Sequence, residues 1–105
     1  MTSKRQTPWF VLNSPELGSP FQDFYEQCRS NGILDEKTKE LLMLVIASVF
    51  RSKSSTQEHI NAAFKTGATR EEITEALLIA AAEAARSQLS WAENAYKKHL
   101  HNIKK

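Results

Sequence analysis

Apolar side chains recur along this chain at spacings of three and four residues, and the strict alternation of a half-buried strand is absent. Phe21, Phe24, Tyr25 and Cys28 fall on one such stripe, which predicts a short helix ending near Ser30. Ser19-Pro20 supplies a cap followed by proline at the first helical position. Asn31-Gly32 supplies the stop. From Leu34 onward there is no proline, and Gly67 is the only glycine. Asp35 caps a second helix over about residues 36–51, whose first turns are charged ("EKTKE") and which becomes apolar on every side after Glu40. A helix apolar all round must be buried all round. So short a chain has little material to cover it, so the pattern predicts that another chain supplies part of the cover.

Ser55-Thr56-Gln57-Glu58 reads as a capping box that starts a third helix, with Glu58 reaching back to the cap. His59, Ile60, Ala63 and Phe64 follow at helical spacing, and Thr66-Gly67 ends the element. Thr69-Arg70-Glu71-Glu72 is a second capping box and opens a fourth helix with a buried stripe of Ile73, Ala76, Leu77, Ala80, Ala81 and Ala84. A last helix is expected from Ser87–Ser90 to about Ile103, docked through Trp91, Ala95 and Tyr96. Residues 1–13 read as an irregular arm pinned by Trp9 and Phe10. The sum is an all-α fold of five to six helices, and 105 residues suffice for one domain, residues 1–105.

Composition narrows the function classes. Charged residues make up 25% of the chain and the formal charge is +2. Basic residues gather only at the two ends ("SKR", "KKHLHNIKK"), without the concentrated face that nucleic acid asks for. The first residues lack the apolar segment of a signal peptide. The longest apolar stretch, Leu41 to Phe50, is about half of a membrane span. The single cysteine, Cys28, excludes an internal disulfide and reads as a small core residue. A cytoplasmic protein with no nucleic-acid or membrane partner is expected.

The candidate chemistry lies in "RSKSSTQEH", residues 51–59. Ser52 and Ser55 fall at a helix N-terminus, where free N–H groups favour negative charge. His59 lies one turn beyond Ser55 on the same face. Glu40 lies about three turns back on the preceding helix, and antiparallel packing brings it opposite His59. A carboxylate, an imidazole and two hydroxyls then share one pocket. By composition alone the same residues are caps and a structural histidine. A Ser–His nucleophile pair fits the spacing, but nothing marks an oxyanion hole. No metal site is expected, because His99 and His101 point to different sides of a helix. No cofactor is expected.

These residues carry a resemblance. The segment "LDEKTKELLMLVIASVFRSKSSTQEHINAAFKTGATREEITEALLIA" is similar to the carboxymuconolactone decarboxylase family, and more narrowly to its small alkylhydroperoxidase D-type members (AhpD-like). The match is strongest over residues 34–82, with Leu-Asp-x-Lys-x-Lys-Glu-Leu, "EHINAAF" and "GATREEITEAL" as landmarks. The redox branch of that family carries a glutamate, then Cys-x-x-Cys, then a histidine after three more residues. Laid on this chain without a gap, those positions are Glu40, Ser52, Ser55 and His59. Both sulfur positions are serine, and Ser54 stands where some redox members have a further histidine.

The resemblance implies an oligomer, a trimer or a hexamer of two trimers. In the sulfur-bearing form it implies peroxiredoxin-type antioxidant activity. The second thiol, deprotonated through the histidine and glutamate, attacks a peroxide or a partner's disulfide. The first thiol closes an internal disulfide, and a protein dithiol reopens it. Serine forms neither sulfenic acid nor disulfide, so this chain is expected to keep the pocket and lose the redox cycle. An introduced Cys→Ser exchange is the reading the spacing favours. The alternative is natural divergence toward the decarboxylase branch, a non-redox lyase or small-molecule binding protein that uses His59, with Arg51 or Lys53 as the anchor for a carboxylate. Ala84-Ala85-Arg86-Ser87 stands where relatives often have glycines lining the pocket.

Overall fold

The computed structural model describes residues 6–103, which form five helices and no strand. They are α1 (Trp9–Asn13), α2 (Pro15–Ser30), α3 (Glu36–Val49), α4 (Lys53–Lys65) and α5 (Arg70–Ile103). The all-α class expected from the spacing is the class observed. The chain divides after Glu36 into two compact units.

In the first unit, residues 9–13 are helical rather than irregular: the N–H groups of Val11 and Leu12 both donate to the Pro8 carbonyl. Residues 1–5 of the expected arm lie outside the described residues. The α2 helix starts at Pro15, not at Pro20, because the Ser-Pro pair occurs twice and the earlier one takes the first helical position. Pro20 then sits inside the helix, where it donates no bond to the preceding turn. Gly18 lets α1 lie against α2, since a Cβ there would stand 2.7 Å from the Phe10 carbonyl oxygen and 2.8 Å from the Val11 Cα. Phe10 meets Phe21 edge-on at 5.6 Å between ring centres. Asn31 and Gly32, at φ +111°, end α2 as expected. Cys28 is exposed, not a core residue, because the stripe it shares with Phe21 and Phe24 is largely uncovered.

In the second unit, Leu44, Ala63, Ala68 and Ile73 form the buried cluster, with Leu41, Ile60 and Leu77 packed against it. Only one side of α3 is covered. Leu44 and Ala47 are buried, whereas Leu42, Ile46, Val49 and Phe50 are exposed. Two junctions link its three helices, and both close with the same pair of crossed backbone bonds. At the end of α3 the Ser52 N–H donates to the Ala47 carbonyl (2.9 Å) and the Arg51 N–H to the Ser48 carbonyl (3.1 Å). At the end of α4 the Ala68 N–H donates to the Ala63 carbonyl (2.9 Å) and the Gly67 N–H to the Phe64 carbonyl (3.1 Å). This is the Schellman arrangement, which needs one left-handed residue. Gly67 supplies it at φ +99°, and Arg51 supplies it at φ +63°.

The early closure at Arg51 overturns the expected start of α4. With Ser52 already bonded back to Ala47, the helix begins at Lys53, so Ser55 and Glu58 cannot form the box expected of them. Ser52 takes the N-cap position without a side-chain cap bond, and the Thr56 hydroxyl donates to the Ser52 carbonyl at 2.7 Å. The second box forms as expected. The Thr69 N–H donates to Glu72 Oε1 (2.9 Å), and the Glu72 N–H donates to Thr69 Oγ1 (3.0 Å). Lys37 Nζ donates to the other carboxylate oxygen at 3.0 Å, tying α3 to the start of α5.

Two further expectations fail on α5. No break occurs near Ser87–Ser90; one helix of 34 residues runs through. Serine is only modestly unfavourable in a helix, and no glycine or proline is present to stop it. Every residue from Ala81 to Ile103 is exposed. Ala81 and Ala84 are therefore not buried, and Trp91 (83% exposed), Ala95 and Tyr96 do not dock.

Candidate functional site

Glu40 lies one turn before the fully buried Leu44 on α3, and His59 lies one turn before the fully buried Ala63 on α4. Both side chains are thus drawn in beside the core. His59 Nδ1 and Glu40 Oε1 stand 2.7 Å apart, and the two residues retain 4% and 7% of their surface. The contact is fixed by the junction: Ser52 N bonds Ala47 O, and seven residues outward along each helix His59 meets Glu40. Seven residues are about two helical turns, which keeps the facing sides in register.

The bond sets the chemistry of the ring. A carboxylate oxygen accepts, so Nδ1 is the donor in this bond, and a neutral ring held in this way carries its lone pair on Nε2. Nε2 has no hydrogen-bond partner among the described residues, and no buried polar side-chain atom there is stranded, so Nε2 faces accessible space. The contact fixes the orientation of the imidazole ring.

The serines are placed differently. Ser55 lies in the first turn of α4, one turn before His59, and is half-buried. Ser52 is at the N-cap and exposed. No hydrogen bond joins either hydroxyl to His59 or Glu40. The structure brings Glu40 and His59 together and sets the two hydroxyl positions along the start of the histidine's own helix.

A cavity of about 420 Å³ opens nearby, lined by Ser48, Arg51, Lys53, Thr56, Gln57 and Ile60. It occupies a different face of α4, and neither His59 nor Glu40 lines it. The Ser48 hydroxyl is committed to the Val45 carbonyl at 2.9 Å, which leaves Arg51, Lys53 and Gln57 as its free donors. Gln57 and Ser48 gave no signal in the sequence, because their neighbourhood depends on the left-handed turn at Arg51.

The model of the carboxymuconolactone decarboxylase family matches residues 15–98. The chain belongs to the carboxymuconolactone decarboxylase family. The match extends well beyond the 34–82 stretch in which the landmarks concentrate and includes α2 and most of α5. Among solved structures, this family member is similar to a protein from Methanobacterium thermoautotrophicum, with a TM-score of 0.72 and 31% identity over 83% of this chain and 95% of that one. Among curated proteins it is 36% identical over 52 residues to "Uncharacterized protein 4 in cox locus" of Paracoccus denitrificans. That stretch is 50% of this chain and 47% of the relative, so the chain matches about half the length of that protein. Among the described residues no helix is long and apolar enough to cross a membrane.

Proposed function

We propose that Glu40, Ser52, Ser55 and His59 are the centre of an alkylhydroperoxidase D-type protein in which oxygen occupies both sulfur positions. The observation that carries this reading is the buried 2.7 Å bond between His59 and Glu40, next to a helix start that displays positions 52 and 55. His59 Nε2 is the base, and Glu40 orients it. With cysteine at 55, the base takes the thiol proton and the thiolate attacks a peroxide O–O bond. The sulfur becomes a sulfenic acid and the alcohol leaves. A thiol at 52 then displaces water from the sulfenic acid to form the disulfide, and an external protein dithiol returns both sulfurs to thiols. A serine hydroxyl is far too weak an acid and reductant for either step, so the chain as it stands moves protons here and not electrons. The same reading carries a single family domain, a cytoplasmic location and assembly as a homo-oligomer, trimer or hexamer.

The test is the double variant Ser52→Cys/Ser55→Cys. It should consume peroxide in the presence of a dithiol and form an internal disulfide visible by mass. Adding His59→Ala should slow it by about 100-fold or more. Absence of both the disulfide and peroxide consumption would overturn the reading.

The intact acid–base pair without sulfur favours a second reading, a non-redox lyase or small-molecule binding protein that uses His59 on a lactone or carboxylate ligand. In that reading Arg51 or Lys53, beside the start of the histidine's helix, is the cation that holds the carboxylate. Unchanged ligand binding and lyase activity in His59→Ala would remove this alternative.

A further inference from the structure

Position 55 carries oxygen where the redox chemistry needs sulfur, and its surroundings suit a different reaction. A hydroxyl in a helix commonly donates to the carbonyl four residues back. Ser30, Thr56 and Thr74 do so at 2.7, 2.7 and 2.8 Å. For Ser55 that carbonyl belongs to Arg51, which lies outside α4 in the left-handed turn. The Ser55 hydroxyl accordingly has no hydrogen bond among the described residues. One turn further, His59 retains only 4% of its surface and is held to Glu40 through Nδ1, while its Nε2 is unpartnered among the described residues and not sealed. Side chains of a helix tilt toward its N-terminus, so the imidazole at 59 leans over the turn that carries Ser55.

The same turn displays backbone donors. The first bond within α4 runs from the Thr56 N–H to the Ser52 carbonyl at 2.9 Å. The N–H groups of Lys53, Ser54 and Ser55 precede it and have no acceptor among the described residues. Ser52, at the N-cap, makes no side-chain bond that would occupy them. Unoccupied N–H groups beside a hydroxyl are the material of an oxyanion hole. No motif in the sequence marks this one, because it consists of backbone. We infer that Ser55, His59 and Glu40 form a hydroxyl–imidazole–carboxylate centre that hydrolyses small carboxylic esters, with the first-turn N–H groups of α4 as its oxyanion hole.

Ser55 Oγ attacks the ester carbonyl carbon while its proton passes to His59 Nε2, so no free alkoxide forms. The carbonyl electron pair moves onto oxygen, where the N–H groups receive the charge. Collapse re-forms the carbonyl and breaks the bond to the alcohol, which takes the proton from Nε2. Water then attacks the acyl-Ser55 and gives its proton to Nε2. The second collapse returns that proton to Ser55 Oγ and releases the acid. Ester and water become acid and alcohol, and nothing is oxidised or reduced. Ser55 and His59 are the catalytic residues, and Glu40 is a positioning residue. This chemistry rests on the proposed role of His59 as base and needs nothing at position 52.

p-Nitrophenyl acetate tests it on the full chain in a Cys28→Ser background, which removes the single exposed thiol. The chain should release p-nitrophenolate continuously and with saturation. Ser55→Ala and His59→Ala should each slow turnover by about 100-fold or more. Glu40→Gln should lower kcat by about tenfold or more and leave KM unchanged, the mark of a group that acts only in the transition state. His99→Ala/His101→Ala should leave the rate as it is, which separates the site from exposed imidazoles. A fluorophosphonate probe should label Ser55 and not Ser54, with circular dichroism confirming that each variant keeps its helicity. Absence of saturable turnover, full activity in Ser55→Ala, or equal labelling of Ser54 and Ser55 would each overturn the proposal. A Ser52→Cys/Ser55→Cys variant that consumes peroxide while the serine chain leaves the ester intact would sink the hydrolase alone. Ester turnover beside a redox-inactive double-cysteine variant would sink only the redox reading.

Discussion

The two junctions of the second unit follow one hydrogen-bond plan and fill it with different residues. After α4, the left-handed position is Gly67, the next helix is capped by Thr69, and Glu72 completes the box. After α3, the left-handed position is Arg51, and Ser52 takes the N-cap position of the next helix with no side-chain bond. Local chemistry prefers the first solution at every step. The second spends stability locally while delivering His59 to Glu40. Departures of this kind gather where a segment serves something besides folding. The comparison thus marks residues 51–59 by energetics, without appeal to what the side chains react with.

The largest way to break the comparison is to remove what the costly junction delivers. Glu40→Leu leaves the buried imidazole without its acceptor and should destabilise the protein by about 3 kcal/mol, measured by urea unfolding. Next come the two cap positions. Thr69→Ala should cost about 1 kcal/mol, whereas Ser52→Ala should change stability by no more than a few tenths (~0.3 kcal/mol). Equal losses at both positions would erase the distinction between the junctions. The left-handed residues sharpen it in opposite directions. Arg51→Gly should gain about 0.5–1 kcal/mol. Gly67→Ala should lose about 1 kcal/mol, a purely backbone effect, since an added Cβ there meets nothing within 4 Å.

The smallest effect depends on pH. The Thr69 N–H, and after it Lys37, hold the Glu72 carboxyl below its ordinary value of 4.5. A group depressed in the folded state contributes stability above its unfolded value and loses it as pH falls through the folded one. Below pH 4.5 the difference in stability between the unsubstituted chain and Glu72→Gln should therefore shrink. The charge is exposed, so the change should be small and should fade further with salt.

Much of this was legible in residue order. The Thr69–Glu72 box and the stops at Gly32 and Gly67 follow from local patterns, whereas the meeting of Glu40 with His59 follows from helix period only once the two helices are taken to pack antiparallel. The failures share a cause. Ser55–Glu58 has the form of a capping box, but the turn at Arg51 closes first, and no short-range rule expects arginine in a left-handed position. Ser19-Pro20 has the form of a helix start, and Ser14-Pro15 pre-empts it. Trp91 and Tyr96 suggested a docked helix because large aromatics usually find cover. Whether cover exists within one chain is not written in the spacing of its apolar residues.

The bond from Ser52 to Ala47 has a further meaning for how relatives can differ in length. Each residue inserted between Glu40 and His59 would swing one partner by about 100° around its helix axis. A single insertion or deletion there would point the imidazole away from the carboxylate, even with every other residue kept. The segment 31–35, which lies between helices and outside that interval, bears no such constraint. Among functional members of the lineage, chain-length changes should therefore accumulate before Glu36 and be absent from the nineteen steps that separate the acid from the base.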